Sequence, residues 1–149
     1  MVGSMKDVVI NQPAGLGDIL FCQKIAHVLT QNEYRVIWPV CDEYSNIAEY
    51  VKSSAIFTTT EDALLDDPYM LRANLRDADQ HFPGCMMDAK YKLVGVEWED
   101  WAAYLDIKFN YQKGWELFNM VGARLNEPYT VVNRSFGTPP HQQECAHIP

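Results

Sequence analysis

The chain has 149 residues, with 12 Lys+Arg against 20 Asp+Glu and a formal net charge of -8. A composition 48% hydrophobic, 12% aromatic and 21% charged is that of a globular chain rather than a disordered one, with enough apolar material for a single core. The acidic balance argues against a nucleic-acid partner and against an anionic membrane surface, and no apolar run reaches the roughly 18–20 residues of a membrane span.

Taken in chain order, residues 1–5 read as a leader before a second start at Met5 and stand outside the fold. Residues 7–11, with the triplet Val8-Val9-Ile10, predict a strand buried on both faces. A breaker-rich loop follows over residues 12–18. From Asp18 the period becomes helical: Phe21, Ile25, Val28 and Leu29 recur on one face, and Gln31-Asn32 end the run. Asp18 fits the N-cap or first turn of that helix. Residues 35–40 predict a second strand ended by Pro39, residues 46–52 a short helix, and residues 55–59 a third strand. This alternation is the repeating unit of an open, mostly parallel α/β sheet with flanking helices, a Rossmann-like fold.

Residues 61–80 are acidic, and Pro68 is placed to start a helix over residues 69–76. His81-Phe82-Pro83-Gly84 reads as a weak strand or a turn. Trp98, Trp101, Ala102 and Leu105 fall on one helical face, as do Leu117, Phe118, Val121 and Leu125 after Gly114. Residues 129–133 predict one more strand, and residues 134–149 a loop or tail. The expected division is a Rossmann-like domain over residues 6–127, followed by the start of a truncated second domain or a tail over residues 128–149. Four cysteines without a C-x-x-C pair, and no export signal, lead to the expectation of reduced thiols in the cytoplasm.

Chemistry concentrates in the first loop. Gly15-Leu16-Gly17 lies between a buried strand and a helix, where glycine admits a ligand close to the backbone. A dinucleotide site would need a third glycine where Leu20 stands, although Asp42 and Glu43 follow the second strand at a suitable distance for a ribose hydroxyl. Asp18 would repel a pyrophosphate there. On the glycines alone, a tight strand-to-helix turn is the better account.

The segment from Val8 to Val40, centred on Gln12-Pro13-Ala14-Gly15-Leu16-Gly17-Asp18-Ile19-Leu20, resembles the N-terminus of GT-B glycosyltransferases. The nearest group is the heptosyltransferase-like family, glycosyltransferase family nine, whose members open with a strand, a G-D-x-L turn, a helix and a second Val- and Ile-rich strand. Gly17-Asp18-Ile19-Leu20 matches that turn, and the stretch from Trp115 to Gly137 resembles the hinge and first strand of the second domain. The resemblance implies a metal-independent, inverting transfer of a sugar from a nucleotide sugar to a saccharide hydroxyl. The donor is then a substrate, and no cofactor is expected. It makes Asp18 the catalytic base, with Gln12, Gly15, Leu16 and Gly17 lining the substrate site and Arg134, Ser135 and Gly137 as the first donor-side contacts. Positioning must supply much of such a base's effect. The resemblance also implies a donor-binding half larger than the 149 residues hold, so that the chain alone is expected to be inactive as a transferase: a fragment, a truncated product, or half of an assembly completed by a second domain or by a homo-oligomer.

Two rival readings remain open. A non-catalytic module would bind a glycan or a protein through the same cleft and an aromatic surface formed by Trp98, Trp101, Tyr104, Phe109, Tyr111, Trp115 and Phe118, although core packing is the default for that run. A small dinucleotide-binding domain would use Gly15, Gly17 and Asp42. No metal site is expected; His141, Cys145 and His147 lie close together but lack a fourth ligand and a structured setting.

Overall fold

Val8, Val9 and Ile10 form the centre of the molecule's main sheet, all three buried. The structure, a computed structural model, describes residues 6–59, 69–120, 135–136 and 143–144. Its elements in chain order are β1 (Lys6–Ile10), α1 (Leu16–Phe21), α2 (Gln23–Gln31), β2 (Tyr34–Val40), α3 (Ile47–Tyr50), β3 (Val51–Lys52), β4 (Ile56–Thr59), β5 (Leu71–Ala73), α4 (Met86–Leu93), β6 (Asp106–Ile107), α5 (Tyr111–Met120), β7 (Ser135–Phe136) and β8 (Gln143–Glu144). Short 3₁₀ segments cover Asp42–Tyr44, Leu75–Gln80, which is kinked at Asp77, and Trp101–Tyr104.

Four strands make one sheet in the order β4-β2-β1-β5, and every pairing is parallel. The register sets Val8 opposite Val36 and Leu71, and Trp38 opposite Phe57. Val8, Ile10, Val36, Trp38, Val40 and Ala73 join Ile19, Phe21, Cys22, Ile25, Leu75 and Tyr91 in one core. Val9 and Ile37, at the alternate positions, are buried too, as a parallel sheet covered on both faces requires. The chain is thus an α/β fold with a Rossmann-like open sheet and flanking helices.

Several local expectations change. The helical run after the first loop is two helices, broken at Cys22, whose φ of -86° and ψ of 9° serve as the end of α1 and the start of α2. Pro39 lies inside β2 rather than at its end, opposite Thr58 of β4 and beyond Val9–Ile37, the last register pair with β1, so that β1 does not require its missing N–H. The helix expected over residues 46–52 stops at Tyr50, and Val51–Lys52 pair antiparallel with β6. Instead of a helix over residues 69–76, Leu71–Ala73 form β5, bonded to β1. The helical face expected from Trp98 to Leu105 is a single 3₁₀ turn, and α4 stands where no helix was expected. In α5, Gly114 lies within the helix, whose first turn is capped by Asn110 Oδ1 accepting from the Lys113 N–H at 2.9 Å.

The chain divides into two compact units, Met1–Lys108 and Phe109–Pro149. In the second unit, β7 and β8 pair antiparallel where a loop or tail was expected. The strand expected over residues 129–133, the leader over residues 1–5 and the acidic stretch over residues 61–68 lie outside the described residues. No helix among the described residues is long and apolar enough to cross a membrane.

Candidate functional site

The strand order places a topological switch point between β1 and β5, since the chain runs from β1 outward to β2 and β4 and then returns to the other side of β1. In open α/β sheets the crevice outside the carboxyl ends of such strands is where ligands bind. Residues leaving β1 there are tied to both neighbours. The Asn11 N–H donates to the Ala73 carbonyl at 2.9 Å, and the Arg76 N–H donates to the Asn11 carbonyl at 3.0 Å. Asn11 Nδ2 reaches Asn74 Oδ1 at 3.3 Å. On the β2 side, the Cys41 N–H donates to the Pro13 carbonyl at 2.9 Å, and Trp38 Nε1 donates to the Gln12 carbonyl at 3.0 Å.

The loop then turns at Gly15, whose φ of 85° and ψ of 94° suit glycine. A Cβ there would stand 2.5 Å from Asp18 Oδ2, so the missing side chain is where the carboxylate sits. Gly15, the N-cap, offers α1 no side-chain cap, and Asp18 stands in the first turn. Its Oδ1 accepts from Lys90 Nζ of α4 at 2.7 Å. The Lys90 side chain is 3% exposed and that of Asp18 is 32% exposed, so a buried ammonium holds a carboxylate that solvent still reaches. The same ammonium donates to Gln12 Oε1 at 2.7 Å, and Gln12 Nε2 donates to the Ala14 carbonyl at 2.6 Å.

The residues singled out in the sequence are therefore brought together on one loop, in different settings. Leu16 and Gly17 are exposed at the start of α1. Gln12 is 5% exposed, with its amide engaged by Lys90 and Ala14, so it supports the loop from inside. Asp42 is exposed just after β2, close in sequence to the Cys41 that bonds the loop. An anion approaching the Gly15 turn meets Asp18 first. Ser135 lies in β7 of the second unit, while Arg134, Gly137, His141, Cys145 and His147 lie outside the described residues.

Lys90 and Tyr91 escaped the sequence reading. Their signal was a cation in an apolar stripe: Met87, Lys90, Leu93 and Val94 share one helical face, and the three apolar members pack against the core. Burial of three consecutive residues, Ala89, Lys90 and Tyr91, blurs that periodicity. Beneath the loop lies Cys22, fully buried, with burial pushing its thiol up to about 12.

The aromatic run divides. Trp101 packs on Phe21 at 4.9 Å and Tyr104 on His27 at 5.0 Å. In the second unit, Phe109, Tyr111, Trp115 and Phe118 line an apolar groove of about 300 Å³. Among the described residues no group of three or more His, Cys, Asp or Glu is placed to hold a metal ion.

No protein-family model, no curated protein and no solved structure matches this chain.

Proposed function

We propose that this chain is the acceptor-side half of a GT-B-type, metal-independent inverting glycosyltransferase, with Asp18 as its catalytic base. The observation that carries the reading is a part-exposed carboxylate at the carboxyl edge of a parallel sheet, beside the switch point, held by the buried ammonium of Lys90. In this reading a saccharide hydroxyl donates its proton to Asp18 as its oxygen attacks the anomeric carbon of a nucleotide sugar. The bond from that carbon to the nucleotide phosphate breaks, and the nucleoside diphosphate leaves with the electron pair. The resemblance around Gly17-Asp18-Ile19-Leu20 supports this reading.

The test, made on the chain joined to the donor-binding half that this reading requires, is release of nucleoside diphosphate from UDP-, GDP- and ADP-sugars with mono- and oligosaccharide acceptors. Asp18→Asn is expected to lower turnover by about 10²–10⁴-fold, the range for a lost general base. Turnover equal to that of the same two-domain protein with Asp18 intact rejects the role.

A second reading, a non-catalytic glycan- or protein-binding module, gains from the same ion pair, because a carboxylate bonded to a buried ammonium can serve structure alone. Calorimetry separates the two: saccharide binding without nucleotide binding belongs to the module.

A further inference from the structure

We propose that Lys90 is the positioning residue of this site: its buried ammonium ties the two ends of the Gln12–Asp18 loop and aims the Asp18 carboxylate into the crevice. The use made of that carboxylate rests on the base reading above; the positioning itself does not.

The segment turns at Gly15 and carries a second glycine, Gly17, in the first turn of α1, so it has little intrinsic order. One ammonium bonds Gln12 Oε1 at its start and Asp18 Oδ1 at its end, each at 2.7 Å. Gln12 passes the restraint inward through its bond to the Ala14 carbonyl. Because Lys90 occupies Oδ1, Oδ2 is the oxygen left over Gly15, where the absence of a side chain gives room for it. The anchor is itself anchored. Tyr91, the next residue of α4, donates its hydroxyl to the Phe21 carbonyl at 2.5 Å, so α4 holds both ends of α1. Asp18 is the carboxylate paired with Lys90, and the nearby Cys22 thiol stays protonated, so it does not compete as a counterion.

The experiment is NMR of the full chain carrying ¹⁵N-labelled lysine, at neutral pH and low temperature. An ammonium signal that Lys90→Met removes, coupled through its hydrogen bond to the Asp18 carboxylate carbon and lost in Asp18→Asn, is the expected result. Lys24, paired with Asp100, is expected to give a separate signal that survives both changes. Amide exchange over residues 12–18 is expected to rise about tenfold more in Lys90→Met than exchange in β1 and β2. Absence of that coupling overturns the proposal, as does a rise shared equally by the whole sheet. If Lys90→Met does not fold, the ammonium signal compared between the unmodified chain and Asp18→Asn decides the matter. Turnover of Asp18→Asn judges the base, and the ammonium coupling judges Lys90, so either claim can fail alone.

Discussion

At Gly15 the backbone and a neighbouring side chain make the same demand. A φ of 85° is costly for any residue with a Cβ, and that Cβ would collide with Asp18 Oδ2. Gly15→Ala is expected to destabilise the fold by about 2 kcal/mol, read by urea denaturation, and to loosen the Asp18–Lys90 contact. Asp18 carries a second, structural duty. Asp18→Asn leaves Lys90 as a buried charge without its counterion, which costs about 3 kcal/mol, the low end for a broken buried pair because Asp18 is itself partly solvated. Adding Lys90→Met is expected to recover most of that loss, since an apolar side chain of similar length fills the space without a charge. Recovery of stability without recovery of turnover, in the double variant, separates the carboxylate's chemistry from its folding role. Equal stability of the two variants would refute the charge argument.

Among the elements, α4 contributes most to the site. It delivers Lys90 to the first turn of α1 and Tyr91 to its last carbonyl, while Phe21 also meets the Tyr91 ring edge-on at 5.0 Å. Tyr91→Phe keeps the ring contact and removes only the hydroxyl, leaving a buried carbonyl short of its donor. The expected cost is about 1–2 kcal/mol by denaturation, with the Lys90 ammonium signal retained. Loss of that signal would mean that the two residues of α4 act as one unit. On the opposite flank, Lys24 of α2 bonds the Glu97 carbonyl and the Asp100 carboxylate, fixing the segment that brings Trp101 onto Phe21. The first unit thus holds its two leading helices from α4 and from the turn around Trp101.

For the first unit as a whole, pH reports the buried groups. Cys22 is pushed up to about 12 from an ordinary 9.0 by burial, and Tyr91 is raised above its ordinary 10.0, also by burial first. Both keep their proton in the folded chain at pH values where the unfolded chain releases it. The stability they contribute is therefore full below pH 9.0 for the thiol and below pH 10.0 for the phenol, and is lost as pH rises further. Urea denaturation between pH 7 and 11 is expected to show falling stability above pH 9, with Cys22 adding a slope of up to about 1.4 kcal/mol per pH unit. Cys22→Ala is expected to flatten that slope by its share. An unchanged slope would show that the thiol is not shielded. On the acid side, the Arg35 hydrogen bond lowers Asp7 and the Lys24 hydrogen bond lowers Asp100. Their contributions are present above the ordinary carboxylate value and are lost as pH falls below it.

Much of this was legible in the chain itself. Val8-Val9-Ile10 and the alternation that follows dictate a parallel α/β sheet, because three consecutive apolar residues in a strand need cover on both faces. Gly15-Leu16-Gly17-Asp18 marked the loop where chemistry would gather. The tertiary structure alone decided three things. It set β5, a three-residue edge strand with only Ala73 buried, beside β1, and so created the switch point. It chose a lysine 72 residues away as the partner of Asp18. It turned Gln12 inward to serve that lysine. Local periodicity reports which face of a segment is apolar; it carries no information on which distant cation a carboxylate will meet, because that depends on how the elements pack.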